Sequence, residues 1–359
     1  MVDQVQDSVK TPFLFSQQSK DKRKNFTFID LFAGIGGTRL GFESAGGDCV
    51  FSSEWDKDCQ KTYQANFEEI PEGDITKIKA EDIPDFDVLV GGFPCQPFSS
   101  IGKRQGFLHA TQGTLFYDVL RIIKAKQPQA FLLENVPGLV NHDKGNTFKT
   151  ILGALGEAEY TTFHQILDGA DFGVPQHRKR IYIVGFKKAV FHNPSFTFPQ
   201  ATAKKAHIGD HLEENIEGYS ISEHLQKSYL FKKDDGRPML LDKNSKIQIK
   251  TLVATYHKIQ RLTGAFVKDG PTGLRLFTAN ECKAIMGFPP DFIIPVSRTQ
   301  MYRQMGNSVV VPVIAAIAQN IATVLRSNNK NHSISVQPID SNYGQSVKNS
   351  NQTAHSQYL

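Results

Sequence analysis

Cys95 stands in Phe93-Pro94-Cys95-Gln96, on a proline-punctuated turn straight after the apolar run Val88-Leu89-Val90-Gly91-Gly92. A thiol on such a turn is presented at the mouth of a sheet with its sulfur free to attack. Further along, Phe131-Leu132-Leu133 runs into Glu134-Asn135-Val136, so a second strand delivers a carboxyl group. A thiol nucleophile and a carboxyl acid at neighbouring strand ends suit chemistry on an electron-poor ring. A lone thiol is more often inert, because a lowered pKa needs nearby positive charge or a helix N-terminus. Arg178 and Arg180, spaced to point the same way at the start of a strand, can supply that charge. Surface salt bridges are the plainer reading of the same two arginines. Cys49, Cys59 and Cys282 have no such partners and read as packing residues.

A second constellation begins at Phe32-Ala33-Gly34-Ile35-Gly36-Gly37, a glycine-rich turn between a strand and a helix. Glycines there let a ligand approach the backbone and leave helix N–H groups open to an anion. Such a turn binds NAD, FAD or S-adenosylmethionine, or is merely tight. Glu54 ends the next strand about 20 residues on, where an acid meets ribose hydroxyls in Rossmann-like sites. Trp55, the only tryptophan, could cover an adenine, and Asp74 in Gly73-Asp74-Ile75 could accept from an adenine amino group. Trp55 as a packing residue and Asp74 as a helix cap for Thr76 are the competing readings. The turn lacks the GxGxxG spacing of dinucleotide sites, which weighs against NAD.

These residues need a scaffold, and the apolar pattern provides one. Phe26 to Leu31 reads as a first strand and Gly37 to Ser44 as its helix; Val50 to Glu54 follows as a strand, and Lys57 to Phe67 as a helix. Val88–Gly91, Ala130–Leu133 and Arg180–Gly185 continue the strand series. The alternation predicts an α/β fold: a doubly wound, mostly parallel, Rossmann-like sheet covered on both faces. After about Phe198 the rhythm breaks, and residues 201–270 carry twelve Lys/Arg against nine Asp/Glu. A smaller, irregular domain is expected there. The resulting layout is a loose arm over 1–25, a large domain over 26–195 plus 300–326, and a small domain over 196–275. A hinge over 276–299 and a disordered tail over 327–359, rich in Asn, Ser and Gln, complete it.

Bulk properties narrow the class. A chain of 359 residues with 40% hydrophobic and 21% charged residues is an ordinary globular composition. No membrane span or secretion signal is read, and four scattered cysteines without a CxxC pair argue against structural zinc and disulfides. A net charge of +5 is compatible with nucleic acid without demanding it.

From about Phe26 to Leu325 the chain resembles the bacterial C5-cytosine DNA methyltransferases. The blocks that carry the resemblance stand in family order: Asp30 to Gly37, Glu54-Trp55-Asp56, Gly73-Asp74-Ile75, Gly91 to Ser99, and Gly113-Thr114-Leu115-Phe116. Glu134-Asn135-Val136, Gln176 to Arg180, Leu276 to Pro289 and Gln304 to Val309 complete the set. The resemblance implies that the Cys95 thiolate adds to cytosine C6, that Glu134 hydrogen-bonds or protonates N3, that Arg180 meets O2 and that Arg178 supports the site. S-adenosylmethionine is the implied methyl donor, held by Phe32, Gly34, Gly36, Gly37, Glu54, Trp55, Asp74, Ile75, Pro94, Leu115, Asn307 and Val309, with no metal. Double-stranded DNA is the implied partner, its target base flipped out of the stack.

The segment from Ser99 to Gly113 is the expected mobile loop, with Ser99, Lys103 and Arg104 towards the DNA. Ile101 stands where some relatives place a second serine, which leaves open what fills the vacated stack. The small domain corresponds to the family's target-recognition region, where Thr251 would meet the backbone near the flipped base. Arg237, His257, Lys258, Gln260 and Arg261 are the candidate base-edge or phosphate contacts. The resemblance further implies a cytoplasmic, nucleoid-associated bacterial monomer, paired with a cognate restriction endonuclease acting on the same site. A tRNA-directed relative and a non-catalytic DNA-binding module remain as alternatives, and a NAD-dependent oxidoreductase fails on the glycine spacing.

Overall fold

The structure, a computed structural model, describes residues 25–93, 115–202 and 205–334, with side chains to residue 328. Cys95, Pro94, Ser99, Lys103, Arg104 and the loop that carries them therefore lie outside the described residues, as do the arm before Asn25 and the tail after Ile334.

Phe26–Leu31 forms β1, and α1 follows at Gly37–Ser44. Next come β2 (Gly47–Ser53), α2 (Lys57–Phe67) and β3 (Val88–Gly91). After the undescribed loop the chain makes α3 (Leu115–Lys126), β4 (Ala130–Asn135), a one-turn α4 (Gly138–Asn141) and α5 (Asn146–Glu157). Strands β5 (Tyr160–Asp168) and β6 (Lys179–Lys187) complete a six-stranded sheet of order β2-β1-β3-β4-β6-β5. The β2-β1-β3-β4 pairs are parallel, whereas β6 runs antiparallel to both β4 and β5.

Alternation along the strands sorts side chains to two faces, as the period of two requires. Val88, Val90, Ala130 and Leu132 enter one apolar cluster, while Leu89, Phe131 and Leu133 enter the other with α3 and α5. The sheet is thus covered on both sides, as the strand-helix alternation predicts. The antiparallel β5–β6 pair departs from that rhythm for a local reason. Only a short 3₁₀ turn, Gly169–Phe172, and a loop join the two strands, too little for a parallel crossover.

Residues 205–275 contribute a short α6 (Glu223–Leu225) and a two-stranded ribbon, β7 (Met239–Leu241) with β8 (Ala265–Val267), paired in parallel. Apolar residues Ile221, Leu230, Leu241, Ile249 and Phe266 of this region belong to the same cluster as Phe28 and Val90 of the sheet. This region therefore shares one continuous core with the sheet. Arg275, fully buried, fastens this junction through Asp269 at 2.8 Å and Glu281 at 2.8 and 2.9 Å. Glu281 also closes a capping box with Thr278 at the start of α7 (Ala279–Met286).

Helices α8 (Arg298–Asn307) and α9 (Val311–Ile334) end the described chain. The stretch Arg298–Asn328 is long and apolar enough to cross a membrane, a run the sequence reading did not register. Its apolar face is consumed internally: Ile314, Ile317, Ala318 and Ile321 are buried in the shared core. Helix α9 lies so close to α1 that a Cβ on Gly41 would meet Ile314 Cγ2 at 2.5 Å, which is why a glycine stands there.

Candidate active site

One cavity of about 650 Å³ opens at the carboxyl ends of β1, β2, β3 and β4. Open α/β sheets bind their ligands in this place. Its walls bring together residues from both constellations read in the sequence.

At one end Phe32, Gly34, Glu54, Trp55, Asp74 and Ile75 line the cavity. Phe32 turns the chain sharply off β1 with φ +58°, a left-handed conformation uncommon for a bulky residue and a mark of functional turns. Gly34 follows at φ +56° with nothing within 4 Å of where its Cβ would stand, so its backbone is open to a ligand. Glu54 is buried, and its two carboxylate oxygens accept from the Gly34 and Asp56 backbone N–H groups, each at 2.8 Å. It thus fixes the glycine turn while still facing the cavity. Trp55 is 76% exposed, which sets aside the packing alternative for that ring. Asp74 does cap a short 3₁₀ turn, accepting from the Thr76 N–H and hydroxyl through Oδ1. Those bonds draw its pKa below the usual carboxylate value.

Gly36 departs from expectation. It is not on the cavity wall: at φ +89° it starts α1, and a Cβ there would collide with the Phe67 ring at 2.2 Å. Gly37 does line the cavity and packs on Ser308, Phe288 and Val309. Leu115, Asn307 and Val309 bridge towards the other end.

That other end holds Gly92, Phe93, Glu134, Asn135, Arg178 and Arg180. Gly91 and Leu133 are paired across β3 and β4, so the chain leading to Cys95 leaves the sheet beside Glu134. A Cβ on Gly92 would stand 3.3 Å from Glu134 Oε2, and Asn135 Nδ2 donates to the Phe93 carbonyl at 2.9 Å. Asn135 thereby anchors the last described residue before the cysteine turn. Arg180 Nε lies 2.9 Å from Glu134 Oε1. Burial raises the Glu134 pKa, and Arg180 and Arg178 pull it back down.

Arg178, also buried, is a strut. Its Nη1 donates to the Leu252 carbonyl at 3.3 Å, and its Nη2 to the Gly306 and Ser308 carbonyls at 3.1 and 2.5 Å. Burial and the neighbouring Arg180 lower its pKa to about 10. Neither arginine is a surface salt bridge. Of the described cysteines, Cys49 and Cys282 are buried, and burial pushes the Cys49 thiol up to about 12. Cys59 is half-buried on the cavity wall, and burial raises its pKa too.

Of the candidate DNA-facing residues, Thr251 precedes Leu252, whose carbonyl meets Arg178 of the cavity wall. Thr251 Oγ1 donates to the His177 carbonyl at 2.7 Å, which places this segment against the chain leading into β6. Arg237, Thr251 and Gln260 border a smaller hollow of about 140 Å³ together with Lys250. His257 and Lys258 sit on the 3₁₀ turn Tyr256–Lys258, with Lys258 exposed. Arg261 is held more tightly than its neighbours among these candidates. It is 7% exposed, and its guanidinium is spent on the Leu230 and Lys233 carbonyls at 2.9 Å each and on Asp235. It ties a loop together through Nε and Nη2.

Sequence reasoning missed Gln300, Arg303 and Gln304, which also line the cavity. The signal was available: with Asn307 they fall at i, i+3, i+4 and i+7 on α8, a single helical face.

A glycine-rich strand-turn-helix end joined to a buried Glu–Arg pair in one cavity defines the class: an α/β enzyme with its site at the carboxyl ends of the strands. The C-5 cytosine-specific DNA methylase family matches residues 26–323. Type II methyltransferase M.MspI of Moraxella sp is 60% identical over 306 residues, covering 85% of this chain and 72% of that protein. M.BsuFI of Bacillus subtilis is 59% identical over 310 residues, covering 86% and 75%. A crystal structure of DNMT2 from Spodoptera frugiperda superposes with a TM-score of 0.66 at 23% identity, covering 84% of this chain and 99% of that one, a likeness of fold. The chain belongs to the C-5 cytosine-specific DNA methylase family and is a DNA cytosine-5-methyltransferase.

Proposed function

We propose that the chain methylates C5 of one cytosine in a specific duplex sequence through a covalent bond between Cys95 Sγ and C6. The observation that carries this reading is the single cavity running from Trp55 and Asp74, past Gly92 and Phe93, to Glu134 and Arg180. A donor bound against the first group and a base bound against the last would share one chamber.

S-adenosylmethionine fits the first end. The open Gly34 backbone, the exposed Trp55 ring, the Asp74 carboxylate and the N-terminus of α1 suit a nucleoside carrying an amino-acid carboxylate. Phe32, Gly37, Glu54, Ile75, Leu115, Asn307 and Val309 would complete the cradle. Gly36 would serve by shaping the turn, and Pro94 by leading into the nucleophile. When bound, this cofactor supplies a methyl group on a positively charged sulfur.

At the other end Glu134 is the group that handles a proton. Burial favours its neutral form, which can donate to N3 as the Cys95 thiolate adds to C6. The C5=C6 electron pair then moves to C5, which accepts the methyl. Loss of the C5 proton to a base returns an electron pair that expels the Cys95 thiolate, and return of the N3 proton to Glu134 restores the ring and the acid. Arg180 would meet the cytosine O2 and hold Glu134, and Arg178 would hold Arg180's strand against the segments at 252 and 306–308. The two guanidinium groups would also favour the thiolate.

The base must leave the stack to reach this chamber, at a cost of a few kcal/mol. Ser99, Lys103 and Arg104 are proposed to close over the DNA, and Thr251 to meet the backbone near the vacated position. Arg237, His257, Lys258 and Gln260 are the proposed sequence readers. The domain limits at 196–275 and 276–299, action as a cytoplasmic, nucleoid-associated monomer, and protection against a cognate endonuclease complete the proposal. Transfer of labelled methyl groups to plasmid DNA and to tRNA, followed by nucleoside digestion, tests it. Labelled 5-methylcytosine in DNA alone is expected; label in tRNA, or on the exocyclic nitrogen, overturns it.

A further inference from the structure

Ile259 stands in a conformation that its residue type resists. At φ +51° and ψ 62° it is left-handed, and it closes the 3₁₀ turn Tyr256–Lys258 with its N–H donating to the Tyr256 carbonyl at 3.1 Å. Glycine or asparagine usually takes that place, and a β-branched residue there is an outlier. Local preference therefore does not fix the turn. Packing does: the half-buried Ile259 side chain lies against the main core, and such strain persists only where the surroundings over-determine it.

The residues around it are fastened as firmly. Tyr256 is buried and stacked on Phe277 with ring centroids 5.2 Å apart, and its hydroxyl donates to the Ala265 carbonyl at 2.7 Å. The Gly264 N–H donates to the Gln260 carbonyl at 2.7 Å, and a Cβ on Gly264 would stand 2.3 Å from that oxygen. Arg237 Nη1 donates to the Leu262 carbonyl at 3.1 Å, and Arg261 folds under the loop. Gln260 itself is exposed on the rim of the hollow of about 140 Å³ that it shares with Thr251. Its side-chain amide has no partner among the described residues. A backbone held this tightly around a free amide is preorganised to meet something outside the chain.

We propose that Ile259 is a positioning residue for sequence discrimination: its left-handed turn fixes Gln260, whose amide donates to a purine edge in the major groove. The proposal rests on the reading that this face meets duplex DNA. Purine N7 is an acceptor in both adenine and guanine, and the Gln amide is a suitable donor to it. Gln260 makes the contact, and Ile259 acts only through it.

A mutant cycle on the full-length enzyme tests this, using its mapped duplex site and the same site substituted at one base pair at a time. Discrimination is the ratio of kcat/KM for the mapped site to that for the substituted one. Gln260→Met removes the amide at equal length and should lower discrimination about three- to tenfold at a single purine position, as loss of one neutral hydrogen bond does. Ile259→Gly accepts the left-handed φ without strain but loses the core seat that fixes it, and should lower discrimination at the same position. Ile259→Val keeps the branched anchor and should retain discrimination. In Ile259→Gly/Gln260→Met the loss should equal that of Gln260→Met alone. A merely structural role gives additive losses or losses spread over all positions, and either result overturns the proposal, as does unchanged discrimination in Ile259→Gly. Should Ile259→Gly fold poorly, Ile259→Asn, which also tolerates the left-handed region, takes its place in the cycle. If Gln260→Met changes nothing while Arg237→Ala relaxes sequence choice, this face reads DNA and the proposal alone fails; if neither has an effect, the reading of the face fails with it.

Discussion

Arg180 Nε and Glu134 Oε1 stand 2.9 Å apart on adjacent antiparallel strands, and this pair sets the protonation of the site. Burial favours a neutral Glu134 and the guanidinium favours its anion, with burial the larger effect. Glu134→Gln cannot deliver a proton to N3. Its kcat should fall by about 10² to 10⁴, the usual contribution of a positioned general acid. Cofactor affinity, read from the fluorescence of Trp55 on the cavity wall, should be unchanged. A near-normal kcat would remove Glu134 from this role.

The same pair fixes a pH dependence. The protonated carboxyl is the donor, and its folded-state pKa is raised, so turnover should fall on the alkaline side as Glu134 ionises. Arg180→Gln removes a cation that lowers this pKa and should move the alkaline limb to higher pH, even as the rate drops. A limb displaced to lower pH in kcat profiles of the two proteins would contradict the assignment.

Asp30 offers a stability test away from catalysis. It is buried with neither carboxylate oxygen hydrogen-bonded, and burial, opposed by Arg39, raises its pKa to about 8. The unfolded chain loses that proton near the ordinary value of about 4. Between those values the folded state holds a proton the unfolded state lacks, so stability falls as pH rises from about 4 through about 8 and then levels. Asp30→Asn should flatten that slope. Melting at pH 8.5 should exceed the parent's by several degrees, with little difference near pH 4.5. Parallel melting curves would show that Asp30 is not the group responsible.

Gly306 joins the wall of the large cavity to the segment at Val253 and Ala254. A Cβ there would stand 2.1 Å from the Ala254 backbone nitrogen and 2.3 Å from the Val253 carbonyl carbon, and neither backbone atom can rotate away. Gly306→Ala should therefore destabilise the fold by about 1–3 kcal/mol, the range for overpacking. It should also weaken DNA binding by displacing the segment that carries Thr251. Unfolding in urea and a duplex-binding titration check both.

Arg261 and Arg237 should behave differently. Arg261→Ala removes ties to Leu230, Lys233 and Asp235 and should cost stability while leaving the methylated sequence unchanged. Arg237 is exposed, with one Nη1 bond to the Leu262 carbonyl, and Arg237→Ala should weaken or relax sequence choice. Modification mapping of DNA from cells expressing each variant separates them. A changed site in Arg261→Ala would restore it as a reader.

The large domain was legible where burial and period agree. Strand β1 at Phe26–Leu31, α1 at Gly37–Ser44 and α2 at Lys57–Phe67 fall where the apolar pattern and the glycine turn put them. Strand β5 was not legible, because its edge position leaves Thr161, Thr162, His164 and Gln165 partly or fully exposed and erases the apolar signal. Trp55, Glu54 and Asp74 could be named because each follows a strand or helix at a spacing that chemistry requires. Ile259 could not, since packing holds it in a left-handed turn against its residue type. Arg261 shows the same limit: a sequence shows the charge and not the Leu230 and Lys233 carbonyls that take up its Nε and Nη2.

The central claim is a covalent bond from Cys95 to the cytosine ring, and duplex DNA synthesised with 5-fluorocytosine tests it most directly. Fluorine at C5 blocks the proton loss that would release the enzyme. Incubation with S-adenosylmethionine should give a denaturation-resistant protein–DNA adduct whose linked peptide contains Cys95, and Cys95→Ser should give none. Methyl transfer to ordinary duplex DNA with no trapped adduct, or an adduct through another cysteine, would contradict the account.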